Sequence, residues 1–154
     1  MIVYNSKTQS MNCLLSESFA QIYFDELTPC LIIRWEGFLE FDKVRTFCEK
    51  TVEVFKEIRK EHRTLAHFIG DSRKLEVLSP EISSYWNYEW NLAMYNAGGR
   101  YLALIVPLDV YAQFNIEIYE ENLSESLRDV KTKFFACENE AKVWLKKTIE
   151  NGQR

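Results

Sequence analysis

The clearest pattern lies between Thr64 and Gly99. The run TLAHFIG is apolar except for His67 and predicts a buried strand. DSRKLEVLSP follows and reads as a polar turn. The next stretch, EISSYWNYEWNLAMYNAGG, changes period. Ile82, Tyr85, Trp86, Trp90, Ala93, Met94 and Ala97 recur at i, i+3, i+4 and share one helix face. Ser79 offers a capping hydroxyl, and Pro80 loses nothing by lacking an N–H at the first helical position. Glu81 adds negative charge at the positive end of the helix dipole. Gly98-Gly99 ends the helix. Trp86 and Trp90 read first as core, because such rings bury large areas.

The rest of the chain repeats this strand-and-helix theme. Residues 1–17 have little periodicity and much Ser, Asn, Thr and Gln, which predicts a loose arm or a short added element. A single domain is expected over 18–150. Strands are predicted at Phe19–Glu26 and Cys30–Glu36, joined at Thr28-Pro29 as an antiparallel hairpin. Leu31, Ile33 and Trp35 take one side of the second strand, and Cys30, Ile32 and Arg34 the other. A helix is predicted from Glu40 to about Lys60. YLALIV at 101–106 reads as a strand covered on both faces. A helix over 112–123, a loop over 124–129, a lysine-bearing edge strand over 131–136 and a final helix from Glu138 to about Ile149 complete the order. The result is β-β-α-β-α-β-α-β-α. It predicts an α/β sandwich with a mostly parallel sheet of about five strands and helices packed on it.

Composition narrows the class. A chain of 154 residues, 47% hydrophobic and 14% aromatic, has enough apolar surface for one real core. The net charge of -4, without a basic stripe, argues against general nucleic-acid affinity. Cys13, Cys30, Cys48 and Cys137 have no C-x-x-C spacing, so they suggest neither zinc nor a redox pair. Isolated cysteines fit a reducing compartment. No signal-like start and no run long enough to span a membrane are visible, so cytoplasm is the expected location. The pattern implies no cofactor.

The order of elements, with WEGF at 35–38, DSRKL at 71–75 and LSP at 78–80, resembles the STAS domain. More narrowly it resembles the small bacterial STAS/SEC14-domain, SpoIIAA-like proteins. Trp86, the Glu89-Trp90 pair, A-x-x-x-P at 103–107 and EAKVWL at 140–145 add to the likeness, which covers roughly 18–148. The resemblance implies a non-enzymatic switch that works by binding a protein. A homodimer is a further expectation. Its SEC14 side implies an alternative, a carrier for a small apolar or lipid-like ligand beside Trp86 and Trp90. In the antagonist family a partner kinase phosphorylates a serine that follows an aspartate, and Asp71-Ser72 matches in type and place. Here Arg73-Lys74 follow instead of a small residue and glycine, and seven residues separate Ser72 from Pro80. A phosphate on Ser72 is expected beside Arg73 and Lys74 rather than at a helix N-terminus.

Ligands of open parallel sheets bind beyond the carboxyl ends of strands. Glu36, Asp71, Ser72, Arg73 and Asp109 are the residues expected there. Asp71 and Arg73 read first as a turn-fixing pair; the functional alternative is an anion or headgroup site using Arg73 with Arg100. His62, in KEHR, reads as solvated, and His67 as a hydrogen-bonded sheet residue. Neither sits in a Ser-His-Asp arrangement. The acidic run 117–122 reads as an exposed helix face rather than a metal site. Cys137 stands at a helix N-cap, where a small tolerated residue is a simpler reading than a reactive thiol.

Overall fold

The computed structural model describes residues 11–113 and 130–152. Its strands are β1 Met11–Glu17, β2 Ala20–Asp25, β3 Cys30–Phe38, β4 His67–Val77, β5 Tyr101–Ile105 and β6 Lys131–Phe135. The helices are α1 Phe41–Glu61, α2 Pro80–Tyr85, α3 Asn91–Ala97, α4 Leu108–Gln113 and α5 Glu138–Gly152, with a π-helical turn, Trp86–Trp90, between α2 and α3. The strands form one sheet in sequential order, antiparallel over β1-β2-β3 and parallel over β3-β4-β5-β6. The α/β class and the mostly parallel sheet agree with the sequence pattern, with six strands rather than about five.

A sheet that advances in one direction, with right-handed crossovers, puts consecutive connections on one face. α1 and the Pro80–Ala97 helix accordingly cover the same side. There they bury Ile22, Leu31, Ile33, Trp35, Phe47, Phe55, Phe68, Trp90 and Leu102. α5 folds back onto the opposite side, where Ala141 and Leu145 meet Cys30, Ile32, Ile69, Ala103, Ile105 and Phe135. Leu31–Ile33 and Leu102–Ala103 are therefore buried on both faces, as their unbroken apolar runs require.

Four elements differ from expectation. Met11–Glu17, expected within the arm, is the edge strand β1. Its period of two is broken by an irregularity between Cys13 and Leu15, which hides the alternation. Asp71–Val77 is not a turn but the continuation of β4. It pairs with the projecting end of β3 through Glu36–Lys74, Gly37–Leu75 and Phe38–Val77, with shifts around Glu36 that Gly37 absorbs at φ +75°. The 80–97 helix is α-helical only at its ends. The Asn91 N–H reaches back five residues to the Trp86 carbonyl, and the wider turn brings both indoles against Trp35. After Pro107 a helix begins at Leu108, earlier than expected. The remainder of the predicted 112–123 helix, the 124–129 loop and the acidic run 117–122 lie outside the described residues.

Candidate functional site

β3 and β4 outrun their neighbours. β2 stops pairing at Trp35 and β5 at Asp71, so both partners are lost at the same end of the sheet. On the α5 side this exposes a row set by register: Gln21 opposite Arg34, and Arg34 opposite Asp71. These residues, with Trp35, Glu36, Arg73 and Lys74, line a recess of about 220 Å³.

The recess is held by charge. Asp71 is buried, and its carboxylate accepts from Arg73 Nη2 at 2.7 Å, Arg73 Nε at 3.0 Å and the Arg73 backbone N–H at 3.1 Å. This bidentate grip holds the Arg73 guanidinium above its ordinary pKa. Arg34 stands over the Tyr23 ring at 4.7 Å and donates to Glu138 at 2.8 Å. Lys142, one turn further along α5, bridges Glu138 at 3.3 Å and buried Asp25 at 2.7 Å. Burial opposes the charges of Arg34, Glu138 and Lys142, and their partners outweigh it. Glu138 is held below its ordinary value, and Arg34 and Lys142 above theirs. The first two turns of α5 are thus clamped to the sheet beside the recess.

Ser72 is on the other side of β4. Alternation turns it away from Asp71 and Arg73, and its hydroxyl donates to the Ile105 carbonyl at 3.0 Å, beyond the last β4–β5 rung. A phosphate there would not sit beside Arg73, contrary to the expectation from sequence. Nor does Arg100 join Arg73. It precedes β5 at the far end of the sheet, level with Ala66 and so seven strand positions from Arg73, roughly 23 Å at about 3.3 Å per residue. Its guanidinium lies on Tyr95 at 3.8 Å and donates to the Tyr95 and Gly99 carbonyls. Asp109 is exposed on α4 and does not line the recess. Glu36 does, and accepts from Gln21 Nε2 at 3.4 Å.

Trp90 is buried; its indole N–H donates to Thr51 Oγ1 at 2.9 Å, and Thr51 donates in turn to the Cys48 carbonyl at 2.6 Å. Trp86 is half-buried, with its ring 4.8 Å from that of Trp35. His67 is buried and hydrogen-bonded to Thr148, as a sheet residue should be. His62 differs from the solvated residue expected: it is half-buried, 4.8 Å from the Phe24 ring. Cys137 caps α5, its carbonyl accepting from Ala141 at 3.3 Å. Among the described residues no group of three or more His, Cys, Asp or Glu is placed to hold a metal ion. No described helix is long and apolar enough to cross a membrane.

A solved structure similar to this chain is that of an uncharacterized protein from the DUF3478 family with a SpoIIAA-like fold, from Shewanella loihica PV-4. The two share 14% identity at a TM-score of 0.48, over 88% of this chain and 91% of that one. No family model and no curated protein matches.

Sequence reasoning missed Gln21, Arg34, Glu138 and Lys142 as site residues. Arg34 left a signal: a charge alternating with Cys30 and Ile32 in an otherwise apolar strand must find a partner on that face. Glu138 and Lys142 are separated from it by about a hundred positions and left none.

Proposed function

We propose that this chain works by binding a protein partner, without catalysis, at the projecting end of β3 and β4. One observation carries the reading. The charged recess runs directly into an apolar tip, where Phe38 (69% exposed) is register partner to Val77 (60%), with Leu78 (41%) next in sequence. An exposed apolar cluster rimmed by charge is a common form of docking site. At about 220 Å³ the recess is below the range of roughly 300–1,000 Å³ typical of small-molecule sites, but it suits a single partner side chain. Tyr88 and Leu92, four residues apart, are further exposed apolar side chains on the Pro80–Ala97 helix. The competing reading, a carrier of an apolar ligand, needs Trp86 and Trp90 to line an open space. Trp90 is instead engaged by Thr51, and both indoles by Trp35.

The test is affinity capture from the source cells with the wild-type chain and with Phe38→Glu/Val77→Lys, quantified by mass spectrometry. A protein retained by the wild type and lost by the variant supports the reading. Identical captured sets would end it. Native mass spectrometry of the chain taken from the same cells decides against it if a lipid or other small ligand is found in stoichiometric amount.

A further inference from the structure

The two edges of the sheet are protected unequally. β6 carries Lys131 and Lys133, both exposed, and lysines on an edge discourage pairing with another chain. β1 (MNCLLSE) has no charge before Glu17 and no proline. Among the described residues it pairs only with β2. Its Leu14 is exposed and, with Leu15, forms one wall of a shallow groove of about 480 Å³. The other wall is α1, through Thr46, Glu49, Lys50, Glu53 and Val54.

Glu49 and Lys50 form no ion pair among the described residues, although α1 holds three others along its length and a fourth to its N-cap residue Glu40. That leaves an adjacent acid and base, both exposed, in a groove with an apolar floor. Such a pair is complementary to itself when turned around. A two-fold axis through the groove sets Lys50 of one copy against Glu49 of the other, twice, while Leu14 meets Leu14 and two β1 strands run antiparallel. The available area is sufficient. α1 is roughly 30 Å long, and the sheet and helix layers together stand roughly 20 Å high. Each copy therefore presents about 600 Å², and the pair buries about 1,200 Å², the lower end of specific interfaces.

We propose that two copies of this chain associate through β1 and the flanking face of α1, continuing the sheet from one subunit into the next. This surface is separate from the β3–β4 tip, so either assignment can fail without the other.

Analytical ultracentrifugation over a concentration series, on the full chain in reducing buffer, tests it; reduction keeps exposed Cys13 from adding a disulfide. The expected species has twice the chain mass of 18.3 kDa. Leu14→Lys places a charge on the edge and is expected to weaken association at least about tenfold. Lys50→Glu and Glu49→Lys each set like charges face to face and weaken it, and the double exchange restores it. Circular dichroism and urea midpoints check that each variant folds. If Leu14→Lys fails that check, the charge exchange alone decides. A wild-type monomer at every concentration overturns the proposal. So does a dimer indifferent to Leu14→Lys and to both single charge changes, or one that the double exchange does not restore.

Discussion

His67 ties the stability of this fold to pH. It opens β4, is 4% exposed and stacks on Tyr101 at 4.8 Å with an interplanar angle of 9°. Its Nε2 is 2.8 Å from Thr148 Oγ1. The Thr148 hydroxyl is itself 2.7 Å from the Leu145 carbonyl and donates there, so it accepts from His67. This assigns the proton to Nε2 and leaves Nδ1 buried with no partner. Protonation would put a charge in the interior and an N–H against nothing, and burial lowers the His67 pKa to about 4. The unfolded chain takes up this proton as the pH falls through 6.5, the folded chain only near 4. Stability is therefore fully present above about pH 7 and is lost as the pH falls from 6.5 to 4. At about 1.4 kcal/mol per unit, the whole effect is roughly 3 kcal/mol, of which about 2 kcal/mol falls between pH 7 and pH 5.

The perturbation is His67→Phe, which keeps a ring on Tyr101 and removes the titration. Thr148 still donates to Leu145, so the variant leaves no new unpaired hydroxyl hydrogen. Urea unfolding at pH 7, 6 and 5, followed by the fluorescence of the four tryptophans, reads the difference. With a slope of about 2 kcal/mol per molar urea, the wild-type midpoint should fall by about 1 M more than that of the variant between pH 7 and pH 5. Every other ionisable group is common to the two proteins and cancels. Equal losses in the two proteins would refute the reasoning. So would an NMR titration placing the His67 ring near 6.5 in the folded state.

Lys142→Met should cost about 3 kcal/mol in urea unfolding by stranding the buried Asp25 carboxylate, and adding Asp25→Asn should recover more than half. Gly98→Ala forces a side chain into φ +117° and onto the Arg59 guanidinium that donates to the Ala97 carbonyl; a loss of about 2 kcal/mol is expected, and a thermal melt reads it. Ser79→Ala removes the acceptor for the Ile82 N–H at 3.2 Å and should cost about 1 kcal/mol in the same measurement. Thr51→Val should cost about 2 kcal/mol in wild type, because it strands the Trp90 N–H, and much less in Trp90→Phe; a double-mutant cycle in urea that finds no coupling would separate Trp90 from Thr51.

Local chemistry was legible wherever one element decides its own fate. Ser79 and Pro80 announced a helix start, and Ser79 caps it. Gly98 announced its end and takes the left-handed conformation. The both-faces burial of 101–106 could be read from its unbroken apolarity. What was not legible depended on a partner. DSRKL has the composition of a turn, and as an isolated segment it has no reason to be a strand. It extends because β3 runs past β2 and offers Glu36–Phe38 as a template. Tertiary pairing overrode local preference there, and the same extension creates the recess.

That dependence also explains which residues the fold brings together. Asp71 and Arg73 are two apart and share a face only because the segment is extended; in a turn their alternation would have no meaning. Once it is extended, register alone puts Arg34 opposite Asp71, and the return of α5 to that face puts Glu138 and Lys142 beside Arg34. Ser72, between Asp71 and Arg73 in sequence, is excluded from the same cluster by the same alternation. The Asp71–Arg73 pair at the end of the sheet therefore follows from one fact, the continuation of β4 to Val77. A proline at Lys74 tests that link: it removes an N–H that the β3–β4 ladder can use, and should disorder the tip while leaving the β4–β5 rungs from His67 to Asp71 intact. Amide exchange that slows from Arg73 to Val77 in wild type and becomes fast there in Lys74→Pro, with Phe68–Gly70 unchanged, is the expected outcome. Loss of protection across the whole of β4 would show that the tip and the core of the sheet are a single cooperative unit, and that the recess cannot be altered without unfolding the chain.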